Sequence, residues 1–303
     1  MATGNDLLVG STGFVGGNLS RQHVFGKVVH SSDVEGAYGL RPSLCVYAGV
    51  PSAMFLANRD PEADLAIMRI ARENMRRIAP EKIVLVSTIA VYADSKGKDE
   101  TSPMTEGGLS PYGANRLQLE KWVREDFDDA LIVRLPALYG AGLKKNFIKD
   151  LVCVAPPLLA DAKYIELASR SALVARSYDA RGDGFHALRP DSDLTALRSW
   201  FAGNDFNALS FTDSRSRFQF YGLDRLWADV LAGIDGGWGE FNLATPPVSA
   251  AEVYRHVRGG EWVNELDREP FDYDMRTVHA EGGYLCSRAE ELDALKTFVE
   301  AQA

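Results

Sequence analysis

Apolar runs and helical patterns alternate along the first 140 residues of the chain. Residues 6–9, 27–30 and 44–48 are short, mostly apolar runs of the kind that form buried parallel strands. Residues 64–78 instead repeat apolar side chains every three or four positions, which predicts a helix with one face in the core. This alternation predicts an α/β fold, with a parallel sheet that is covered by helices on both faces.

The pattern changes after residue 140, which indicates a second region of the chain. Residues 1–140 are predicted to form one domain. Residues 141–213 are expected to form an inserted helical cap, whose clearest helix lies near residues 194–201. Residues 214–303 predict a mixed segment that returns partly to the first domain. The sequence therefore predicts a doubly wound domain with a smaller, discontinuous C-terminal region.

Capping boxes mark two helix starts late in the chain. Ser249 stands three residues before Glu252, and Ser287 stands three residues before Glu290. In such a box the serine side chain accepts a hydrogen bond from the first helical turn, and the glutamate side chain reaches back to the serine N–H. We therefore expect a helix after each serine, the second one being a terminal amphipathic helix over residues 288–299.

Composition and charge exclude several classes of protein. The chain has 303 residues, of which 46% are hydrophobic and 25% are charged, as is usual for a globule with a large core. Its net charge of −9 argues against a general binder of nucleic acids or membrane surfaces. The sequence shows neither an apolar run of membrane-spanning length nor the basic and apolar regions of a signal peptide. Three scattered cysteines predict reduced thiols and a cytoplasmic location, and five isolated histidines do not support a metal site.

A glycine-rich turn follows the first predicted strand directly and precedes a predicted helix. This strand–turn–helix context is the one that a dinucleotide fingerprint requires. Glycines let the backbone approach a pyrophosphate, and the helix N-terminus offers unpaired N–H groups and partial positive charge. A glycine-rich turn without a ligand is the alternative interpretation. The candidate cofactor-binding residues of this turn are Gly10, Ser11, Thr12, Gly13, Phe14, Val15 and Gly16.

A second candidate site lies at the start of a later helix. Ser110 suits an N-cap and Pro111 suits the first helical position, which places Tyr112 in the first turn. Arg116 lies one turn further along, on the same face of the helix. A cation there favours the charged form of the phenol, which suits Tyr112 to general acid/base chemistry. Thr88 ends a predicted strand and could hydrogen-bond the oxygen of a substrate.

These motifs together resemble the extended short-chain dehydrogenase/reductase superfamily, in the epimerase/dehydratase branch that acts on sugar nucleotides. The likeness is carried by the glycine spacing G-x-x-G-x-x-G, the strand that ends in Ser87-Thr88, and the Pro-Tyr-Gly sequence at residues 111–113. Residues 239–252 are similar to a late strand and helix of that branch. The resemblance covers about residues 6–140 and 215–257, and it implies a Rossmann-like fold.

The resemblance also implies the roles of individual residues. In the family, the tyrosine exchanges the proton of the substrate hydroxyl while hydride passes to or from the nicotinamide. Tyr112 is therefore assigned as a catalytic residue that also contacts the cofactor. Thr88 is assigned as a catalytic residue that also contacts the substrate, and Ser87 as a neighbouring substrate contact. The family has a lysine, bonded to the nicotinamide ribose, where this chain has Arg116. Arginine keeps the charge but is a wider, planar group that does not release its proton, so Arg116 is expected to bind the cofactor and support Tyr112 without relaying a proton.

The type of cofactor depends on the residues after the second and third strands. Asp33 could accept hydrogen bonds from an adenosine ribose, which favours NAD, whereas Ser31 and Ser32 could leave room for the 2′-phosphate of NADP. NAD is slightly favoured on this basis, while an ordinary turn carboxylate stays open for Asp33. Ala48 and Gly49, at the end of the third strand, are expected on the nicotinamide side of the cofactor.

Positive charges and amides on this acidic protein indicate the class of substrate. The segment that begins at Arg217 resembles the family's diphosphate-binding segment, so Arg217 is expected to make a charge-assisted phosphate contact. Asn146 falls where the family often places a substrate-binding asparagine. Lys144 and Lys145 could form a second anion site, although plain solvation explains two surface lysines equally well. The implied partner is a nucleotide-activated sugar.

The sequence therefore predicts an NAD(P)-dependent oxidoreductase or epimerase. The family's 4,6-dehydratases carry Thr-Asp-Glu where this chain has Thr88-Ile89-Ala90, so elimination of water by that mechanism is not expected. A cofactor-binding but catalytically inactive sensor or assembly partner is the alternative. Arg116 motivates it, as does Ala137, which stands where the family has a sugar-binding asparagine. The resemblance also implies a homodimer formed through a four-helix interface.

Overall fold

A computed structural model describes residues 4–302, which divide into two compact units. The first unit combines the N-terminal part of the chain with two later segments, and the second unit takes the remaining segments. The first unit contains the described residues up to Leu143, Phe218–Val248 and Asp272–Glu291, and the second contains Lys144–Arg217, Ser249–Phe271 and the described residues from Leu292.

Strands and helices follow one another along the whole of the described chain. The strands are β1 (Asp6–Val9), β2 (Lys27–Val29), β3 (Leu44–Tyr47), β4 (Lys82–Thr88), β5 (Ala130–Leu135), β6 (Ala137–Tyr139), β7 (Leu158–Ala160), β8 (Tyr178–Ala180), β9 (Phe185–Leu188), β10 (Arg217–Phe218), β11 (Phe220–Gly222), β12 (Glu240–Asn242) and β13 (Val248–Ser249). The helices are α1 (Phe14–Gln22), α2 (Met54–Arg59), α3 (Pro61–Ile78), α4 (Pro111–Asp126), α5 (Phe147–Val152), α6 (Asp161–Arg170), α7 (Ala172–Ser177), α8 (Leu194–Ala202), α9 (Leu226–Asp235), α10 (Ala250–Arg258) and α11 (Arg288–Ala301).

Six strands of the described residues form one parallel sheet, in the order β12-β5-β4-β3-β1-β2. Successive side chains of a strand point to opposite faces, so Leu7 and Val9 pack in one buried cluster and Leu8 packs in another. Both faces of the sheet are therefore covered, as in a Rossmann-like fold. The predicted fold class is confirmed, and β1, β2 and β3 lie where the sequence places them, with ends that differ by at most one residue.

The helix predicted from apolar periodicity near residues 64–78 is α3, which begins slightly earlier. Asp60 caps this helix, because its side chain accepts a hydrogen bond from Ala63 N at 3.1 Å, and Pro61 occupies the first turn. Met68 and Met75 on its apolar face are fully buried. The periodicity therefore identified a core-facing helix correctly.

Both predicted capping boxes are confirmed. In the first, Ser249 Oγ accepts from Glu252 N at 3.1 Å, and Ser249 N donates to Glu252 Oε2 at 3.4 Å. In the second, Ser287 Oγ accepts from Glu290 N at 3.3 Å, and Ser287 N donates to Glu290 Oε2 at 2.7 Å. These bonds pair backbone donors at the starts of α10 and α11 that would otherwise lack partners.

The segment over residues 141–213, which the sequence predicts as an inserted helical cap, contains strands as well as helices. Besides helices, it contains an antiparallel sheet in which β9 pairs with both β7 and β8. The β8–β9 hairpin turns through Gly182 and Gly184, whose φ values of 79° and 86° are accessible to glycine without strain. The flanking strands are only three and four residues long, so their alternation of apolar and polar side chains is too short to distinguish them from a loop.

Two classes of feature are not found among residues 4–302. No helix there is both long and apolar enough to pass through a membrane. No group of histidine, cysteine, aspartate and glutamate side chains there is arranged to hold a metal ion. Cys45, Cys153 and Cys286 all carry free thiols.

Candidate functional site

The glycine turn lies at the carboxyl end of β1 and touches the residues that follow β3. Gly10 has a φ of 91°, and a Cβ added to it would lie 2.6 Å from Ala48 O. A Cβ added to Gly16 would lie 2.2 Å from Gly10 O. A side chain at either position would therefore force α1 or the segment after β3 away from the turn, so the fold requires glycine at both.

The first turn of α1 presents backbone donors that the protein itself does not cap. Gly13 is the N-cap residue and has no capping side chain, and the first turn carries no acidic residue. Thr12 and Gly13 are exposed, Ser11 is half-buried, and Phe14 and Val15 pack partly against the apolar cluster under the sheet. N–H groups at an uncapped helix N-terminus fit an anionic group such as a phosphate, so the turn suits the dinucleotide that its sequence predicts.

The ends of β2 and β3 meet beside the glycine turn. A Cβ added to Gly49 would lie 3.1 Å from Val9 Cγ1 and 3.4 Å from Ser31 Cβ, which brings the ends of three neighbouring strands together. Ser31, Ser32 and Asp33 are all exposed, and the Asp33 carboxylate does not cap the short 3₁₀ turn that follows it. An extended ligand bound along the carboxyl edge of the sheet would meet these side chains at one end, and their contact with a cofactor stays a prediction.

The start of α4 is built as the sequence predicts. Ser110 Oγ accepts from Gly113 N at 3.2 Å, and Pro111 is the first helical residue, so Tyr112 lies in the first turn. Tyr112 is 5% exposed, and its backbone N–H donates to Asn58 Oδ1 at 2.9 Å. Within residues 4–302, no protein group hydrogen-bonds the phenol oxygen.

Gly113 brings the start of α4 against the end of β4. A Cβ added to Gly113 would lie only 2.1 Å from Ala90 O. Ala90 N in turn donates to Thr88 Oγ1 at 3.2 Å. The first turn of α4 therefore lies beside the turn that follows Thr88. The structure thus brings Thr88 and Tyr112 to the same edge of the sheet as the glycine turn.

Replacing Gly113 by Ala is expected to destabilise the first unit by about 1–3 kcal/mol, the usual cost of overpacking. The added methyl group would overlap a backbone carbonyl, which cannot rotate away as a flexible side chain can. Urea unfolding of the ligand-free protein measures the loss. Gly107→Ala is the control, because a Cβ at that position meets no atom within 4 Å. Equal stability of the two variants would contradict the close approach of α4 to Ala90.

Arg116 is buried rather than free, with 4% of its surface exposed. Its two terminal nitrogens donate to Asp64 Oδ2 at 2.8 Å and Asp64 Oδ1 at 3.1 Å, and the second also donates to Pro51 O at 2.7 Å. The guanidinium carbon lies over the Tyr112 ring, 4.3 Å from its centroid, which is a cation–π contact with the ring face. A contact between Arg116 and the ribose of a cofactor stays a prediction.

The Ser87 hydroxyl is committed to a buried network on the other side of β4 from Thr88. It donates to Glu120 Oε1 at 2.5 Å, and Glu120 also forms an ion pair with Arg134, whose nearest nitrogen lies 2.8 Å from Glu120 Oε2. Glu120 and Arg134 are both fully buried. Because buried charges must be paired, this network holds α4 on the sheet behind the site. The structure therefore uses the Ser87 hydroxyl as a donor within the protein, and its contact with a substrate stays a prediction.

The remaining candidates for substrate binding lie in the second unit. The Asn146 side chain caps α5, since its Oδ1 accepts from Lys149 N at 3.2 Å, and its φ is 114°. Arg217 is exposed, and its backbone N–H donates to Phe271 O at 2.7 Å. Lys144 and Lys145 are exposed. Substrate roles for Asn146 and Arg217 stay predictions.

Sequence reasoning missed the polar residues that hold the edges of the site. Asn18 is buried in α1 and binds the loop after β6, with Nδ2 donating to Ala141 O at 2.9 Å and Oδ1 accepting from Ala141 N at 3.2 Å. Asn58 holds the start of α4 by accepting from Tyr112 N, and Asp64 holds it by accepting from the Arg116 side chain. A polar residue on the apolar face of a helix is the one sequence signal that could have revealed Asn18, whereas Asp64 resembles an ordinary acidic residue in a first helical turn.

The fold and the site define an α/β protein with a Rossmann-like sheet and an uncapped glycine turn at its carboxyl edge. Residues 7–157 match the family model described as the RmlD substrate binding domain, a match of just under half of the chain. No curated protein matches the chain.

Solved structures of similar fold extend the comparison to the whole chain. A dTDP-4-dehydrorhamnose reductase from Clostridium acetobutylicum is 17% identical, with 98% of each chain covered and a TM-score of 0.63. The same enzyme from Bacillus anthracis, solved in complex with NADP, is 13% identical, with 99% of each chain covered and a TM-score of 0.63. A UDP-glucose 4-epimerase from Thermotoga maritima, solved with UDP-glucose, is 15% identical, with 98% of this chain and 97% of that chain covered and a TM-score of 0.61. At these identities the likeness shows the fold alone.

Proposed function

We propose that the protein is an NAD(P)-dependent oxidoreductase or epimerase that acts on a nucleotide-activated sugar. The observation that carries the proposal is the position of Tyr112 and Thr88 at the edge of the sheet where the uncapped glycine turn lies. Ligands of doubly wound α/β proteins bind at the carboxyl ends of the strands, so a cofactor and an acid/base residue would meet there. The similar reductases and epimerase support the substrate class.

The residues of this chain divide the work in the proposed reaction. A bound nicotinamide would supply or accept the hydride. Tyr112 would give a proton to the substrate oxygen in the direction of reduction, or take one in the direction of oxidation. Thr88 would hydrogen-bond the same oxygen and fix its orientation. The N–H groups at the start of α1 would hold the pyrophosphate of the cofactor.

The comparisons do not support the slight preference for NAD. The similar reductase from Bacillus anthracis was solved with NADP. The proposal therefore keeps both cofactors. Asp33 would accept from a ribose diol of NAD, whereas the neighbouring Ser31 and Ser32 would border a 2′-phosphate of NADP.

The substrate contacts that the family resemblance implies for Arg217 and Asn146 are also proposed. The guanidinium of Arg217 would donate charge-assisted hydrogen bonds to a diphosphate. The amide group of Asn146 would donate to a sugar hydroxyl while its oxygen caps α5.

A direct assay tests the proposed activity and separates its two forms. Purified protein is incubated with NADH or NADPH and a panel of nucleotide-activated ketosugars, and then with nucleotide-activated hexoses and the oxidised cofactors. A reductase consumes reduced cofactor with the ketosugars, whereas an epimerase interconverts hexoses without net consumption of cofactor. Cofactor binding with neither result across the panel would favour the alternative, a cofactor-binding protein without turnover, which Arg116 and Ala137 motivate.

A further inference from the structure

The cation at position 116 is bound by an acid on the neighbouring helix. Asp64 lies in the first turn of α3 and is 6% exposed. Its two carboxylate oxygens accept from the two terminal nitrogens of Arg116 at 2.8 and 3.1 Å, and Oδ2 also accepts from Asn115 Nδ2 at 2.9 Å. A buried carboxylate in a two-pronged pair with arginine compensates the charge of the guanidinium and fixes its plane.

Further bonds join the same two parts of the chain. Asn58 Oδ1 accepts from Tyr112 N at 2.9 Å, and Asn115 Nδ2 donates to Pro61 O at 2.9 Å. Arg116 donates to Pro51 O at 2.7 Å, which attaches the loop after β3 as well. The first turn of α4, which carries Tyr112, is therefore held from one side by residues 51–64.

Arginine is suited to this set of contacts, and lysine is not. The planar guanidinium binds both oxygens of Asp64, reaches Pro51 O and places its central carbon over the Tyr112 ring at the same time. A lysine ammonium is a compact point charge that cannot make the two-pronged bond to Asp64 and also reach Pro51 O from a second nitrogen. Arg116 and the buried Asp64 beside it are thus one structural feature.

We propose that Asp64 is a positioning residue for Tyr112. It commits Arg116 to contacts that fix the first turn of α4 and the loop after β3, in place of the direct bond to a cofactor that the family resemblance implies for a lysine at this position. This inference rests on the proposed function for its catalytic consequence. Its structural part, the coupling of residues 64 and 116, stands on the contacts alone.

The proposal is tested by a double-mutant cycle of Asp64→Asn, Arg116→Met and the variant with both changes. Each single change leaves one buried charge without its partner, whereas the double change removes both charges. We expect each single variant to unfold at a lower urea concentration than the wild type, and the double variant to recover part of that loss. The amide hydrogen of Tyr112 should exchange faster in both single variants, because its turn is no longer held.

The catalytic readouts separate positioning from a general loss of stability. We expect each single change to lower kcat by about tenfold or more with KM changed by less than about threefold, because a misplaced acid/base group slows the chemical step. Any loss of affinity for NADPH in Arg116→Met should be reversed when Asp64→Asn is added. A loss of affinity of about tenfold that persists in the double variant would instead show direct contact between Arg116 and the cofactor, and would overturn the proposal.

Asp126→Asn is the matched control. Asp126 pairs with Arg72 at 2.6 and 2.8 Å and so joins the same two helices, α3 and α4. It lies about 21 Å along α4 from Tyr112, at about 1.5 Å per residue. We expect it to lower stability without changing kcat or the exchange of the Tyr112 amide.

The exchange and unfolding measurements need no turnover, so they keep this proposal distinct from the proposed function. If no substrate turns over but the cycle shows coupling and faster exchange at Tyr112, the positioning role of Asp64 stands and the proposed function fails. If the single changes leave both exchange and stability at the level of the wild type, the positioning role is wrong, whatever the activity.

Discussion

Replacing Tyr112 by Phe is expected to lower turnover by about 10²–10⁴-fold, the contribution usual for a positioned acid/base group. Stability should change little, because no protein group among residues 4–302 hydrogen-bonds the phenol oxygen. Phenylalanine keeps the backbone bond to Asn58 and the aromatic ring over which Arg116 lies. Steady-state kinetics and urea unfolding of the same preparation measure both effects. Turnover that survives the change would remove Tyr112 from the chemistry.

Tyr92→Phe is the matched control for that experiment. The Tyr92 phenol is also buried beside an arginine, but its oxygen accepts from Arg134 at 2.8 Å and donates to Asp99 O at 2.9 Å. Removing this hydroxyl leaves buried groups without a partner, which costs about 1–3 kcal/mol. We therefore expect the opposite pattern for Tyr92→Phe, with a loss of stability and little effect on turnover.

The stability of the protein is expected to fall as the pH rises from about 5 to about 8, and Glu291 is expected to cause much of that fall. Glu291 lies in the first turn of α11 and is 4% exposed, and its Oε1 has no hydrogen-bond partner in the described chain. Burial raises the pKa of Glu291 to about 8, with a smaller contribution from Asp224, while the Cys286 thiol and Arg225 oppose the rise.

The direction of this change in stability with pH follows from the number of protons that the folded and unfolded states bind. The folded protein holds the Glu291 proton up to about pH 8, whereas the unfolded chain releases it near the usual pKa of 4.5. The folded state therefore binds more protons in this window, and the free energy of unfolding declines through it by roughly 3–5 kcal/mol. Burial also raises the pKa of Asp150 to about 7, which adds to the same trend.

Glu291→Gln tests this account, because glutamine stays neutral at every pH. We expect the variant to match the wild type near pH 5 and to be more stable above pH 8, when urea unfolding is compared at several pH values. The dependence of stability on pH that remains in Glu291→Gln should come from Asp150. Glu300→Gln, which changes an exposed residue of the same helix, is the control and should leave the slope intact. Parallel pH profiles of Glu291→Gln and the wild type would contradict the assignment.

Local signals in the sequence predicted the parts of the site that depend on local geometry. The N-cap of Ser110, the first-turn position of Tyr112 and the glycine turn follow from rules that act over a few residues, and the structure has them. The fold class followed for the same reason, since each buried strand and each amphipathic helix shows its period directly.

The rest of the site depends on contacts between distant residues, which leave no local pattern. Arg116 was expected to meet a cofactor, and nothing near it in sequence indicates that Asp64, on another helix, binds it. Ser87 lies beside Thr88, but the alternation of side chains along β4 directs it to Glu120 on the opposite face of the sheet. The short strands of the second unit were hidden because two or three alternating positions do not make a period.

The central claim is that hydride passes to or from a sugar at the edge of the sheet that holds Tyr112. Its most direct test is a single turnover with reduced cofactor that carries deuterium at both hydrogen positions of the reactive nicotinamide carbon, mixed with nucleotide-activated ketosugars. A reductase and an epimerase would both move the label, so the account predicts deuterium on a sugar carbon for the wild type and its near absence for Tyr112→Phe. The absence of deuterium from the sugar, for every ketosugar tried with a stoichiometrically bound cofactor, would contradict it.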